Sequence, residues 1–156
     1  MDDLGYLKPP RALAAIQART TELNFGMASE PRTGALLQML AASKPGGRLL
    51  ELGTGTGMAT AWLLSGMDAA STLISVDTDE EVQAVAREIL GHDTRLKLLS
   101  HDGAAFLWRC AVASKQLHLC GGGMCSLTVA RVLVVDAVLS PQCRHQLRQA
   151  LSVPFR

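Results

Sequence analysis

Glu51-Leu52-Gly53-Thr54-Gly55-Thr56-Gly57 sets three glycines at alternate positions, directly after the apolar run Arg48 to Leu52. Residues without a Cβ turn tightly and let a ligand approach the backbone, so the heptad predicts a ligand-seating loop between a strand and a helix. Met58 follows Gly57, which makes the spacing GxGxG and not the GxGxxG of dinucleotide loops. A dinucleotide loop offers its helix start to a pyrophosphate. Glu51 instead puts a carboxylate at the end of the strand, where it would repel a phosphate and suit a cationic ligand.

Outward from the loop, short apolar runs alternate with amphipathic stretches. Met58 to Leu64 reads as the helix opened by the glycines, and Leu73 to Val76 as a second strand ending at Asp77. Thr78-Asp79-Glu80-Glu81 reads as a capping box, with Thr78 as the cap and Glu81 reaching back to it. The helix it starts runs through Val82, Val85, Ala86 and Ile89, and Gly91 is placed to end it with positive φ. Arg95 to Leu99 is a third strand. Upstream, Arg11 to Glu22 predicts a helix with Leu13, Ala15 and Ile16 on one face. Ser29-Glu30-Pro31 starts another, through Leu36, Leu37 and Leu40 to Ala42, and Lys44-Pro45-Gly46-Gly47 ends it. Strand and helix taking turns predicts an α/β fold of three layers around a mainly parallel sheet.

Three acids then close three successive strands. Glu51 is placed to accept from an ammonium through water, Asp77 to accept both hydroxyls of a ribose, and Asp102 to accept from an adenine amine. Singly each has a plainer reading: a solvated strand-end charge for Glu51, a turn residue for Asp77, an N-cap for Asp102. Jointly, with the GxGxG loop between them, they suit S-adenosylmethionine, which carries a sulfonium, an amino acid end, a ribose diol and an adenine but no phosphate.

Glu51 to Gly57, followed by Ile74-Ser75-Val76-Asp77-Thr78-Asp79, resembles class I methyltransferases, and within them the small-molecule O-methyltransferases related to catechol and caffeoyl-CoA enzymes. Met27-Ala28-Ser29-Glu30-Pro31 and Gly34-Ala35-Leu36-Leu37 are similar to that group's approach to the glycine loop, and the resemblance covers about residues 20 to 107. It implies a Rossmann-like methyltransferase fold, with Met27, Gly53, Asp77 and Asp102 as cofactor contacts. With the loop and strand-end neighbours, the expected cofactor set is Met27, Glu51, Gly53, Thr54, Gly55, Gly57, Asp77, Thr78, Asp102 and Gly103. The reaction implied is methyl transfer from S-adenosylmethionine to a hydroxyl of a small molecule. The rivals are an inactive cofactor-binding remnant without an acceptor site and a nicotinamide-dependent oxidoreductase.

The last third reads differently. Of 156 residues, 48% are hydrophobic and 19% charged, which fits one domain, residues 1–156. Residues 1 to 107 hold 9 Lys/Arg against 13 Asp/Glu, whereas 108 to 156 hold 6 against the single acid Asp136 and carry all four cysteines. A family-like part (1–107) thus gives way to a divergent one (108–156), and a shifted reading frame after Leu107 would account for the change. Arg131-Val132-Leu133-Val134-Val135-Asp136 reads as a buried strand, either the family's fourth, which would put Asp136 in the site, or its fifth. Only 20 residues follow Asp136, so the acceptor-binding half is expected to be truncated or replaced. His101, beside Asp102, is a general base by type, and it and Asp136 are the two catalytic candidates. Cys110, Cys120, Cys125 and Cys143 lack the close pairing of structural zinc ligands and read as free thiols, so no metal site is assigned and a divalent metal is not expected as a cofactor. No dense basic cluster or aromatic platform points to nucleic acid. The opening Met1 to Tyr6 lacks the form of a secretory signal, and Leu127 to Leu139, interrupted by Arg131 and Asp136, is too short to span a bilayer. The expectation is a cytoplasmic protein acting on a small-molecule methyl acceptor, with a homodimer as the assembly left open.

Overall fold

The computed structural model describes residues 8–106 and 131–134. The elements run α1 (Leu13–Glu22), α2 (Pro31–Ala42), β1 (Arg48–Leu52), α3 (Met58–Gly66), β2 (Thr72–Asp77), α4 (Glu80–Leu90), β3 (Leu96–Ser100) and β4 (Arg131–Val134). The sheet order is β3-β2-β1-β4. β1 and β3 both flank β2 in parallel, with Leu50 opposite Ile74 and Ser75 opposite Leu98. All three carboxyl ends therefore open on one edge, where α/β sheets bind ligands.

β4 pairs with β1 in the opposite sense, Leu52 facing Arg131 and Leu49 facing Val134. The strand read from Arg131 is present at the position beside β1. It runs from the glycine-loop end of β1 toward the far end, away from the edge on which a fourth parallel strand would finish. Asp136 and the four cysteines lie outside the described residues.

α3 is the centre of the packing. Seven of its nine residues, Met58 to Leu64, are buried, so its apolar surface runs all round and it must be covered on every side. Leu63 and Leu73, with no exposed surface, meet Ile16, Leu37, Leu49 and Leu90 in one core. Burial of such side chains is worth about 1.5–3 kcal/mol each. α2 lies along α3, while α1 touches both α3 and α4, so the four described helices form one layer against the sheet. Of the three layers expected, the described residues supply the sheet and one layer of helices.

Several local expectations shift. In α1 the buried residues are Ile16 and Thr20, and Ala15 is exposed. In α2 Leu37 is buried, whereas Leu36 and Leu40 stay 50% and 39% exposed. Pro31 does occupy the first turn of α2, where its missing N–H costs nothing. The cap of α4 is Asp79, not Thr78: its Oδ1 accepts from the amides of Glu81 and Val82, both at 3.1 Å. Asp79 stands one residue nearer the helix than Thr78, at the N-cap position with extended backbone. Gly91 ends α4 with φ −63°, still right-handed, because its amide completes a helical bond to the Arg87 carbonyl.

Candidate active site

The loop after β1 turns through three glycines with positive φ: Gly53 at 89°, Gly55 at 53° and Gly57 at 95°. The third of them, Gly57, is the N-cap of α3, and a Cβ on it would come within 2.8 Å of the Ala86 Cβ. Its bare Cα lets α3 begin against α4. Gly53 hands its amide to the Val76 carbonyl at 2.8 Å, which keeps the loop beside the end of β2.

Asp77, at that end, holds the loop directly. Its Oδ2 accepts from the Gly55 amide at 2.7 Å and its Oδ1 from the Asp79 amide at 3.0 Å. A carboxylate has about four acceptor positions, so each oxygen keeps capacity for a further donor. The other wall comes from the connector between α1 and α2. The Thr20 and Thr56 hydroxyls, 2.7 Å apart and buried, fix the end of α1 to the loop. Asn24 turns the chain with φ 49°, and the Phe25 ring then lies against Gly55, 3.1 Å from where a Cβ would stand.

Between these walls is a cleft of about 350 Å³, within the range of small-molecule sites. Of the residues read from the sequence as cofactor contacts, Met27, Gly53, Thr54, Gly55, Asp77 and Thr78 line it. Phe25, Ala28, Ser29, Thr56, Met58 and Val82 line it as well and were not anticipated. Phe25 had a usable signal, being one of only three phenylalanines and lying just past a helix end. The charged groups among the described lining residues are Asp77 and Asp79, with no Lys, Arg or His.

Glu51, Gly57, Asp102 and Gly103 are off the described lining. Glu51 has no exposed surface. Its Oε2 accepts from Thr60 at 2.6 Å and from Ser75 at 2.5 Å, because α3 folds back over β1 and brings Thr60 above the strand. Burial raises its carboxyl from 4.5 to about 7; the Ser75 and Thr60 bonds oppose the rise and the nearby Asp77 charge adds to it. The carboxylate expected to reach a ligand through water is thus sealed beneath the loop. Asp102 accepts from the Ala105 amide at 2.7 Å and caps the helical residues 103–106, its plainer reading. Gly103 packs beside Leu52, which does line the cleft. His101 is tied to the site through its backbone, its amide donating to the Asp77 carbonyl at 2.8 Å, but its side chain is not part of the described lining.

Residues 50–149 match the family model described as a methyltransferase domain. This chain belongs to that methyltransferase family. The match continues past the change in composition at Leu107. Among curated proteins, a "Probable O-methyltransferase" of Mycobacterium tuberculosis is 36% identical over 117 residues, 72% of this chain and 52% of its own. The chain spans about half the length of the curated relatives it matches. Among solved structures, the O-methyltransferase of Bacillus cereus in complex with S-adenosylhomocysteine aligns with a TM-score of 0.58 at 20% identity, over 71% of this chain and 52% of that one. A methyltransferase of Geobacter sulfurreducens aligns with a TM-score of 0.55 at 25% identity, over 65% and 54%. The chain has the Rossmann-like fold of these structures, and neither the remnant nor the nicotinamide reading is favoured. Among the described residues no cluster of His, Cys, Asp and Glu could hold a metal, and no helix is long and apolar enough to cross a membrane.

Proposed function

We propose that the cleft seats S-adenosylmethionine and that the methyltransferase passes its methyl group to a hydroxyl of a small molecule. The observation that carries this reading is the position of Asp77: a carboxylate on the cleft wall, at the end of β2, bonded to the glycine loop and with acceptor capacity left on both oxygens. The chemistry of the lining fits the cofactor. Two acids and no cation among the described lining residues suit a ligand with a sulfonium and an ammonium and disfavour a pyrophosphate. Gly53, with open space where a Cβ would be, gives the backbone a bare approach to the ligand.

Bound there, S-adenosylmethionine supplies an electrophilic methyl on a positive sulfur. The chain's part is orientation. Asp77 accepts the ribose hydroxyls, the Gly53–Gly55 backbone limits how the amino acid end lies, and Phe25, Met27 and Ala28 cover the ligand with apolar surface. Fixing the donor lets an acceptor oxygen meet the methyl in line with the breaking bond, which is the main saving such a site can offer. The bound structural neighbours, such as that of Bacillus cereus with S-adenosylhomocysteine, are in keeping with this assignment.

The test is turnover with S-adenosylmethionine against a panel of phenols and catechols, with and without magnesium, read by mass spectrometry. The expected product is an acceptor heavier by one methylene unit, with S-adenosylhomocysteine released in equal amount. Binding of NADH in place of S-adenosylhomocysteine would overturn the cofactor assignment.

A further inference from the structure

Gln83 is a fully buried amide on α4, a helix whose other buried residues include Val85, Ala86 and Leu90. An apolar side chain of similar size would fill the same space without the cost of burying an amide. All of its bonding groups are used. Nε2 donates to the Thr54 hydroxyl and to the Leu99 carbonyl, each at 3.0 Å, and Oε1 accepts from the Arg87 guanidinium at 3.0 Å.

The protons along this line have one consistent direction. Ser75 gives its single hydroxyl proton to Glu51, so in the 2.7 Å contact between Thr54 and Ser75 the donor is Thr54. Thr54 then accepts from Gln83. The chain runs Gln83 to Thr54 to Ser75 to Glu51, and ends on the carboxylate under the loop. Successive bonds of one sense strengthen each other in a low-dielectric interior. At the other end of the amide, Leu99 immediately precedes Ser100, which pairs with Asp77, and His101, whose amide bonds Asp77. Gln83 therefore ties the loop on one side of Asp77 to the end of β3 on the other.

We infer that Gln83 is a positioning residue for the methyl-donor seat: by bridging Thr54 and Leu99 it holds the glycine loop and the end of β3 at the separation that the ligand requires. It touches no ligand atom itself and acts through Thr54. The inference rests on the cleft being the S-adenosylmethionine site.

The experiment is calorimetric titration of the full chain with S-adenosylhomocysteine for wild type, Gln83→Met, Thr54→Val and the double variant, with exchange of the Gly55 amide followed in parallel. Gln83→Met is expected to bind about tenfold more weakly and to exchange Gly55 faster. The double variant is expected to be little weaker than either single one, because both break the same bridge. A Gln83→Met protein that is folded, binds as wild type and protects Gly55 overturns the inference and leaves the function standing. Wild type that does not bind S-adenosylhomocysteine overturns both. Should Gln83→Met fail to fold, the exposed Arg87→Ala decides: loss of the bond to Oε1 frees the amide and is expected to weaken binding about threefold, and unchanged affinity overturns the inference.

Discussion

The Gly55 amide donates to Oδ2 of Asp77 at 2.7 Å, so the acid that faces the cleft is also the anchor of the loop opposite. The two roles are coupled, since the bond that fixes Gly55 also fixes the rotamer in which Asp77 meets a ribose. Replacing Asp77 by Ala removes the ligand's acceptor and leaves the Gly55 amide unpaired. Asp77→Ala should bind S-adenosylhomocysteine about 100-fold more weakly and Asp77→Asn, which still offers one acceptor oxygen, about tenfold, at roughly 1.5–3 kcal/mol for each charged bond lost. Isothermal titration at a temperature where both variants are folded measures this.

Glu51 makes stability depend on pH. Its folded carboxyl titrates at about 7 against 4.5 unperturbed, so between these values the folded chain holds a proton that the unfolded chain has lost. Glu51's contribution is complete below about pH 4.5 and is lost as pH climbs to about 7, a change of roughly 3 kcal/mol. Urea unfolding from pH 4.5 to 8 should show the decline in wild type. In Glu51→Gln, which cannot ionise, the profile should be flatter by that amount.

Gly57 combines φ 95° with a near contact to Ala86. Gly57→Ala is expected to cost about 2–4 kcal/mol, as strain in the left-handed region and as overlap with α4 add. Adding Ala86→Gly should recover the overlap and not the dihedral strain, so the double variant lies between the two in urea midpoint.

Much of this molecule is legible in its sequence because its signals are local. The glycine heptad and the apolar runs around it mark β1, β2, β3 and α3 to within two residues, and Asp77 falls on the cleft because a strand end and a helix start fix it from both sides. Glu51 was legible as a strand-end acid and not as a buried one. Its burial depends on α3 folding back to bring Thr60 over β1, a contact nine residues away that no periodicity encodes. Gln83 was hidden for the opposite reason: on an amphipathic helix a polar side chain reads as surface, and only the register of α4 against Thr54 and Leu99 turns it inward. The direction of β4 was equally invisible, since Val132-Leu133-Val134 fits a buried strand of either sense.

The central claim is that Asp77 and the glycine loop seat the methyl donor, and a crystal structure of the chain with S-adenosylhomocysteine tests it most directly. The account predicts both ribose hydroxyls within hydrogen-bonding distance of the Asp77 carboxylate, the ligand lying over Gly53 to Gly55 with Phe25 and Met27 against it. Ligand density elsewhere on the protein, or in the cleft with the ribose turned away from Asp77, would contradict it.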